Sequence, residues 1–295
     1  MKSLSDWLSA RLARGIPVAL IEIVEAAGST PRDAGATMLA DGDSIAGTIG
    51  GGRVEWLAVE AARTLLAGGE ADGEIDVALG PQTSQCCGGR VRIRLSRADS
   101  DLAQRLAESE RCAGAARDPV YVFGAGNVGL ALCRALALLP VRVTLADTRP
   151  GMVEAAMADL GESTDVVLAR EPERLVALAP AGAAFVVTTH DHALDFAITE
   201  AALSRPDAAY VGLIGSATKK ARFASYFRGE GGAEETLSRL VCPIGGAAVD
   251  DKRPEVIAAM TAAELLTFIG ASRNLAKNGG NVPAGARQRG GRSPG

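Results

Sequence analysis

Histidine is nearly missing from this chain of 295 residues: there are two, and both fall in the tetrapeptide Thr189-His190-Asp191-His192. A metal or a proton-transfer site at these imidazoles is one expectation, although no fourth ligand follows that segment at a recognisable spacing. Cysteine is scarce as well. Five residues, an odd number at irregular spacing, argue against a disulfide framework and for reduced thiols, which fits a cytoplasmic protein. Long apolar runs are lacking: no uninterrupted stretch approaches the roughly 20 residues that cross a bilayer, so no membrane span is expected. The opening MKSLSDWLSARLARGIP mixes charges into a helical pattern with Trp7 and Leu8 on one side, unlike a secretory leader. There is no excess of positive charge either, with 31 Lys and Arg against 35 Asp and Glu and a net charge of -4. Nucleic-acid recognition leaves a basic footprint, so nucleic acid is not an expected partner, whereas small molecules and proteins are. Aromatic residues make up only 4%, and the ordinary-to-high apolar share is that of a soluble globular chain.

What is present divides into two halves. The length suggests about two domains. In the first, VALIEIVEA from Val18 and ATMLAD read as strands around a loop, AGSTPRDAG. Residues 53–66 repeat apolar positions at helical spacing, and EIDVAL and VRIRL resume the strand pattern. This predicts a mixed sheet with at least one covering helix over 1–97, and a helical linker over 98–118. Beyond that, VYVFG, VRVTLAD, DVVLA, AAFVVTT and AYVGLIG alternate with helical segments, the last from about Pro254 to Gly270. Such alternation predicts a doubly wound, Rossmann-like parallel sheet over 119–275. The predicted fold class is thus α/β: an N-terminal mixed α/β domain followed by a Rossmann-like domain. The Gly- and Arg-rich residues 276–295 offer almost nothing to bury and are expected to be disordered.

Glycine-rich stretches carry the chemistry. Gly124-Ala-Gly126-Asn-Val-Gly129 follows a strand and opens a helix, the setting in which glycines admit a pyrophosphate. Asp147 ends the next strand, 18 residues after Gly129, where a carboxylate can accept both hydroxyls of an adenosine ribose and repel a 2'-phosphate. An NAD-like dinucleotide is one expectation, and a nucleotide fold without a ligand is the other. His190 and His192, two apart in an extended segment, would face one side, with Asp191 capping the following helix. The loops Gly212-Leu-Ile-Gly215-Ser216 and Val241-Cys242-Pro-Ile-Gly-Gly246 end neighbouring strands, and with the histidine segment could line one cleft. In the first half, Gly28-Ser29-Thr30-Pro-Arg32 and Gly47-Thr-Ile-Gly50-Gly51-Gly52-Arg53 read as an anion cradle. The second leads into a helix whose backbone N–H groups would face phosphate. Cys86 and Cys87 are adjacent and followed by Gly88 and Gly89. Consecutive α-carbons lie about 3.8 Å apart, too close for an unstrained disulfide, so these are free thiols. They could be buried packing, or soft ligands beside the anion cradle.

Taken in order, GSTPRDAG, GTIGGGRVE, QCCGG, VFGAGNVG, TTHDHALD and GLIGSATK resemble the XdhC/CoxI family of xanthine dehydrogenase accessory proteins, over nearly the whole chain. The resemblance implies a chaperone rather than a dehydrogenase. Such a protein binds molybdenum cofactor (molybdopterin), holds it while a cysteine desulfurase replaces an oxo ligand with sulfur, and passes it to xanthine dehydrogenase. It implies Cys86 first and Cys87 second as the residues holding the cofactor, with Cys86 at the metal. Gln85 would meet the pterin edge; Ser29, Thr30, Arg32 and Gly50 to Gly52 would meet the phosphate. A homodimer is expected. Two rivals stay open: an NAD-dependent oxidoreductase built on Gly124, Gly126, Gly129, Asp147 and His190, and a scaffold that bridges desulfurase and dehydrogenase without holding cofactor.

Overall fold

The computed structural model describes residues 3–68, 72–79, 88–246, 249 and 251–277. The chain forms two compact units, Met1–Ala115 and Ala116–Gly295. The tail beyond 277 lies outside the described residues.

The first unit is a five-stranded sheet in the order β3-β2-β1-β5-β4, made of β1 (Ala19–Ala27), β2 (Thr37–Ala40), β3 (Ile45–Gly47), β4 (Asp72–Ala78) and β5 (Arg90–Arg97). Every described pairing is antiparallel, where the sequence suggests a mixed sheet. The connections explain the difference. β2 and β3 are joined by a few residues, which suffices for a hairpin and is too short for a crossover. Pleating sends alternate residues of β1 and β2 to opposite faces. Ala19, Ile21, Ile23, Met38 and Ala40 pack with Val54, Ala58, Ala62 and Leu65 of α2 (Gly52–Leu66), a stripe at helical spacing. On the other face Leu39 packs with Leu8 of α1 (Leu4–Leu12) and Leu102 and Ala103 of α3 (Ser100–Ala115). The carboxylate of Glu110 on α3 accepts the Leu4 N–H at 2.8 Å and the Ser5 hydroxyl at 2.5 Å, so it satisfies donors at the start of α1. β3, only three residues long, is too short to show an alternation in sequence.

The second unit is a six-stranded, all-parallel sheet in the order β11-β10-β9-β6-β7-β8. Its strands are β6 (Asp118–Phe123), β7 (Val141–Asp147), β8 (Asp165–Leu168), β9 (Ala184–Val187), β10 (Tyr210–Leu213) and β11 (Leu240–Val241). The expected doubly wound Rossmann fold is present, with the strand order reversing between β6 and β9. α4 (Asn127–Leu136), α5 (Pro150–Leu160) and α10 (Pro254–Lys277) cover one face, through Leu132, Leu136, Ala156, Ala258, Leu265 and Ile269. α6 (Pro172–Leu178), α7 (His192–Leu203), α8 (Ala217–Gly229) and the single-turn α9 (Glu234–Leu237) cover the other, through Val176, Ile198, Phe223, Phe227 and Leu237. Both faces are buried, so the strands are apolar without alternation. One sequence reading needs qualification. Within α10, Pro254–Ser272 is long and apolar enough to cross a membrane by length and composition. Its residues Ala258, Ala262, Leu265 and Ile269 lie in the core beside α4.

Among the described cysteines, Cys112, Cys133 and Cys242 are free. Burial on α4 pushes the Cys133 thiol up to about 12, so it stays protonated and inert at neutral pH.

Candidate functional site

In the first unit, three separated stretches meet at one end of the sheet. Ala27 of β1 is opposite Arg90 of β5, which brings the loop after β1 beside the segment entering β5. The backbones there approach too closely for side chains. A Cβ at Gly89 would lie 2.4 Å from the Ser29 carbonyl oxygen, and one at Gly28 (φ +74°) would lie 3.1 Å from the Gly89 Cα. Gly50 (φ +122°) joins from the third stretch, where a Cβ would lie 2.7 Å from Pro31 Cγ. Ser29, Thr30, Arg32 and Gly50 are thereby gathered. Among the described residues a Cβ at Gly51 or Gly88 would meet nothing within 4 Å, so that part of the sheet end is lined by small residues. Gln85, Cys86 and Cys87 lie outside the described residues; Gly88 is the residue that follows Cys87 along the chain.

The loop amides expected to face a phosphate have a partner within the chain. Glu55, on the first turn of α2, accepts the Thr48 hydroxyl at 2.7 Å and the N–H groups of Gly51 at 3.0 Å and Ile49 at 3.2 Å. The Gly50 N–H donates to Thr48 Oγ1 at 3.1 Å. A carboxylate one turn into a helix reaches back to the preceding donors, as in a capping box, and also complements the helix dipole. Sequence reasoning passed over Glu55, although an acidic residue just inside a glycine-rich helix entry was the available signal.

In the second unit the three glycines of the fingerprint have three different surroundings. Gly124 (φ +108°) packs against β9: a Cβ there would sit 2.5 Å from the Thr188 carbonyl oxygen. At Gly129 a Cβ would sit 1.9 Å from the Gly124 carbonyl oxygen. At Gly126 it would meet nothing within 4 Å, and this residue N-caps α4 without any side-chain cap. Two glycines therefore close the turn and the helix contact, and the middle one leaves room for a ligand at a helix N-terminus. Thr188, which the sequence reading did not single out, fastens the turn from β9: its hydroxyl donates to the Phe123 carbonyl at 3.0 Å.

Asp147 stands at the end of β7 as expected, but its carboxylate is engaged. It accepts the Ala125 N–H at 2.8 Å and the Arg149 N–H at 2.9 Å, and pairs in bidentate fashion with the Arg149 guanidinium at 2.9 and 2.7 Å. Burial alone would push this carboxyl up. The guanidinium and the two amides outweigh burial and hold it at about 2. The charge that would discriminate against a 2'-phosphate is thus compensated by an arginine two residues along. A small cavity at the switch point is lined by Phe123, Gly124, Asp147, Thr148, Thr189 and His190.

The histidine segment divides. Asp191 does cap α7, accepting the N–H groups of Ala193 at 2.7 Å and Leu194 at 3.0 Å. Because the helix begins at His192, the extended pleat ends there. His190 lines the switch-point cavity, while His192 lines a separate groove with Ser216 and Lys219. The three strand-end loops do not share one cleft, since Gly215, Pro243, Gly245 and Gly246 line a third hollow. Cys242 is in the core, its thiol pushed up by burial. Among the described residues no group of three or more His, Cys, Asp or Glu could hold a metal ion.

These features define a class: an antiparallel α/β unit ending in a small-residue cradle, joined to a Rossmann unit with an intact dinucleotide turn. Residues 11–75 match the XdhC and CoxI family and residues 120–265 match the XdhC Rossmann domain. The chain belongs to the XdhC/CoxI family. It is 26% identical over 259 residues to the uncharacterized protein YqeB of Escherichia coli K12, covering 85% of this chain and 43% of that protein, so it spans less than half of that relative's length. Among solved structures it resembles one described as a xanthine dehydrogenase from Bacillus halodurans, with a TM-score of 0.70, 18% identity and coverage of 91% of this chain and 96% of the other. At that identity the likeness is one of fold.

Proposed function

We propose that this chain is a maturation factor for xanthine dehydrogenase that receives molybdenum cofactor as cargo in its first unit, holds it while a cysteine desulfurase supplies sulfur, and delivers it to the apo-dehydrogenase in the cytoplasm. Family membership supports the maturation role. The observation that carries cofactor holding is the meeting of Gly28–Arg32, Gly50–Gly51 and Gly88–Gly89 at one sheet end, with no described residue within 4 Å of a Cβ at Gly51 or Gly88. A flat pterin needs such a surface without Cβ atoms. Ser29 and Thr30 offer hydroxyl donors and Arg32 a guanidinium to its phosphate, while Cys86 and Cys87, the residues preceding Gly88, offer thiolates to the metal. Glu55 meets the same loop. An incoming phosphate would compete with this carboxylate for the amides of Ile49 and Gly51, so Arg32 must offset the repulsion. Cys86 is the first candidate for the metal, and a homodimer is the proposed assembly.

The test is chemical. The purified full-length protein, co-expressed with the cofactor pathway, should carry molybdenum and pterin in equal amounts, and Cys86→Ser should lose most of both at unchanged melting temperature. A wild-type protein without either would remove the cargo role and leave a scaffold. A strain lacking the chain should assemble xanthine dehydrogenase that is inactive for want of a sulfurated molybdenum centre.

A second reading is favoured by the open Gly126 flanked by the two closed glycines: the second unit binds an adenine dinucleotide. Gly126→Ala should abolish that binding while leaving the fold intact, as measured by calorimetry with NAD and NADP.

A further inference from the structure

The groove between α7 and α8 is used by neither reading above. We propose that it binds a phosphomonoester carried on a small organic molecule, held by Lys219, Arg222 and Ser225 of α8, by Ser216 at its N-cap and by His192 of α7. The groove encloses about 610 Å3, which suits a small molecule rather than a lone ion.

The sequence builds it simply. Ser216, Lys219, Arg222 and Ser225 recur at every third residue, so they follow a diagonal row that winds around α8 from its N-cap, and all of them line the groove. Phe223, Ala224 and Phe227 send another side of the helix into the core. From α7, His192 offers an imidazole, and Phe196 one turn further on supplies a ring wall. That ring is held by Phe223, with centroids 5.2 Å apart, and by Tyr226 at 5.4 Å.

Of the charged lining groups, Lys219 is already paired with the buried Asp195, which leaves Arg222 as the uncompensated cation among the described residues. No Asp or Glu lines the groove among the described residues. Lys219 is fixed at its floor by an ion pair with Asp195, whose side chain is 1% exposed against 13% for the lysine. Asp195 is itself held by the Thr189 hydroxyl at 2.6 Å and the Thr189 N–H at 3.1 Å. A Cβ at Gly215 would strike the Lys219 stem at 2.5 Å, so the glycine that ends the β10 loop exists to let this lysine lie down. Arg222 has no hydrogen-bond or ion-pair partner among the described residues. A guanidinium, three hydroxyls (Ser216, Thr218, Ser225), an imidazole and the N–H groups that the Asp195-paired ammonium has to spare offer more donors, from more directions, than the two oxygens of a carboxylate can use. The terminal oxygens of a phosphomonoester can use them. The Phe196 ring then accounts for the organic body.

This assignment does not rest on the cofactor reading, but molybdopterin also carries a phosphomonoester, so it is the Arg222→Ala variant that assigns binding to this groove. Its test is calorimetry of the full chain with phenyl phosphate, inorganic phosphate and benzoate. Phenyl phosphate should bind, inorganic phosphate more weakly for lack of the ring contact, and benzoate not measurably. Arg222→Ala should weaken phenyl phosphate about tenfold, the loss expected for one charge-assisted contact, with the melting temperature unchanged because the residue is exposed. Ser225→Ala should weaken it about threefold, one neutral hydrogen bond's share. Arg228→Ala, on the same helix but engaged with Glu234, should change nothing. No heat with phenyl phosphate at millimolar concentration, or wild-type affinity in Arg222→Ala, would overturn the site. Equal binding of benzoate would overturn the phosphate assignment, and equal binding of inorganic phosphate would overturn the organic body.

Discussion

Two glycine-rich loops in this chain share one sequence grammar, strand then glycines then helix, and differ in what their donors face. Before α2, the amides of Ile49 and Gly51 and the Thr48 hydroxyl converge on the Glu55 carboxylate. Before α4, Gly126 has open space and no side-chain cap. The first loop carries its own anion; the second leaves its helix end available. The second loop also gives one amide, that of Ala125, to a carboxylate, Asp147 at 2.8 Å, so the two loops differ in which donors are taken: those leading into α2 in the first, the one before Gly126 in the second. The glycines differ in the same sense. Gly50 makes room for Pro31, a side chain, whereas Gly124 and Gly129 make room for backbone carbonyls.

The largest effect follows from that last contrast. Gly129→Ala would put a Cβ 1.9 Å from the Gly124 carbonyl oxygen, a position that only movement of α4 away from the turn can relieve. We expect loss of more than about 3 kcal/mol, the upper end for overpacking, or failure to fold. Gly50→Ala meets the Pro31 ring rather than a backbone carbonyl but also carries a side chain at φ +122°, so the loss there should be about 1 to 3 kcal/mol, part of it backbone strain. Urea denaturation of the two variants ranks them. Equal losses would mean that the loops are equally rigid and would remove the distinction.

Glu55 tests the comparison more directly. Glu55→Gln keeps one oxygen acceptor but removes the charge, and Glu55→Ala removes both. Loss of this backward cap should cost about 1 kcal/mol, yet the freed amides should now take up an external anion. Sulfate at millimolar concentration should raise the melting temperature of Glu55→Ala by more than it raises that of the wild type. An identical sulfate response in both would show that the carboxylate was not occupying an anion seat.

A smaller effect comes with acid. Asp147 is held at about 2, below its ordinary value of 3.8. A group whose folded pKa is depressed contributes stability above the unfolded value and loses it as pH falls through the folded one. The tie between the Ala125 amide and β7 should therefore weaken from about pH 4 down to about pH 2. In Asp147→Asn, melting temperatures in that window should be flatter than in the wild type. Asp41, held at about 2 against burial by the Asp43 and Ser44 amides, the Ser44 hydroxyl and Arg11, titrates in the same window in the first unit. Only the difference between variant and wild type isolates the nucleotide turn.

Much of this molecule was legible in its sequence, and the boundary between the legible and the hidden is physical. The Rossmann unit declared itself because buried parallel strands are unbroken apolar runs, and because the Gly124, Gly126 and Gly129 pattern and Asp147 sit at fixed offsets from β6 and β7. The Asp191 cap was readable from local chemistry alone. The occupancy of charges was not. Arg149 and Glu55 look like ordinary surface residues in sequence, and only their reach, to Asp147 and to the Thr48 loop, gives them meaning. The division of His190 from His192 was hidden too, since it depends on where α7 begins. The groove beside α8 was not read from the sequence at all, since its facing ring, Phe196, belongs to another helix.

On the dinucleotide reading proposed above, the finest distinction concerns the adenosine end of the ligand. An uncompensated Asp147 should favour NAD, whose ribose hydroxyls donate to a carboxylate, and repel the 2'-phosphate of NADP. In this chain the Arg149 guanidinium compensates the carboxylate through two parallel hydrogen bonds while 37% of its own side chain stays exposed. The wild type should therefore separate NAD from NADP poorly. Arg149→Ala removes the compensation but leaves Asp147 tied to the Ala125 and Arg149-position amides, so the turn should stay folded. Its preference should shift toward NAD by about fivefold, the equivalent of about 1 kcal/mol for one partly exposed charge. Competition calorimetry with both dinucleotides reads this ratio directly. A ratio unchanged by Arg149→Ala would mean that the arginine acts only as a brace for the turn, and a strong NAD preference in the wild type would show that the pair opens when ligand arrives.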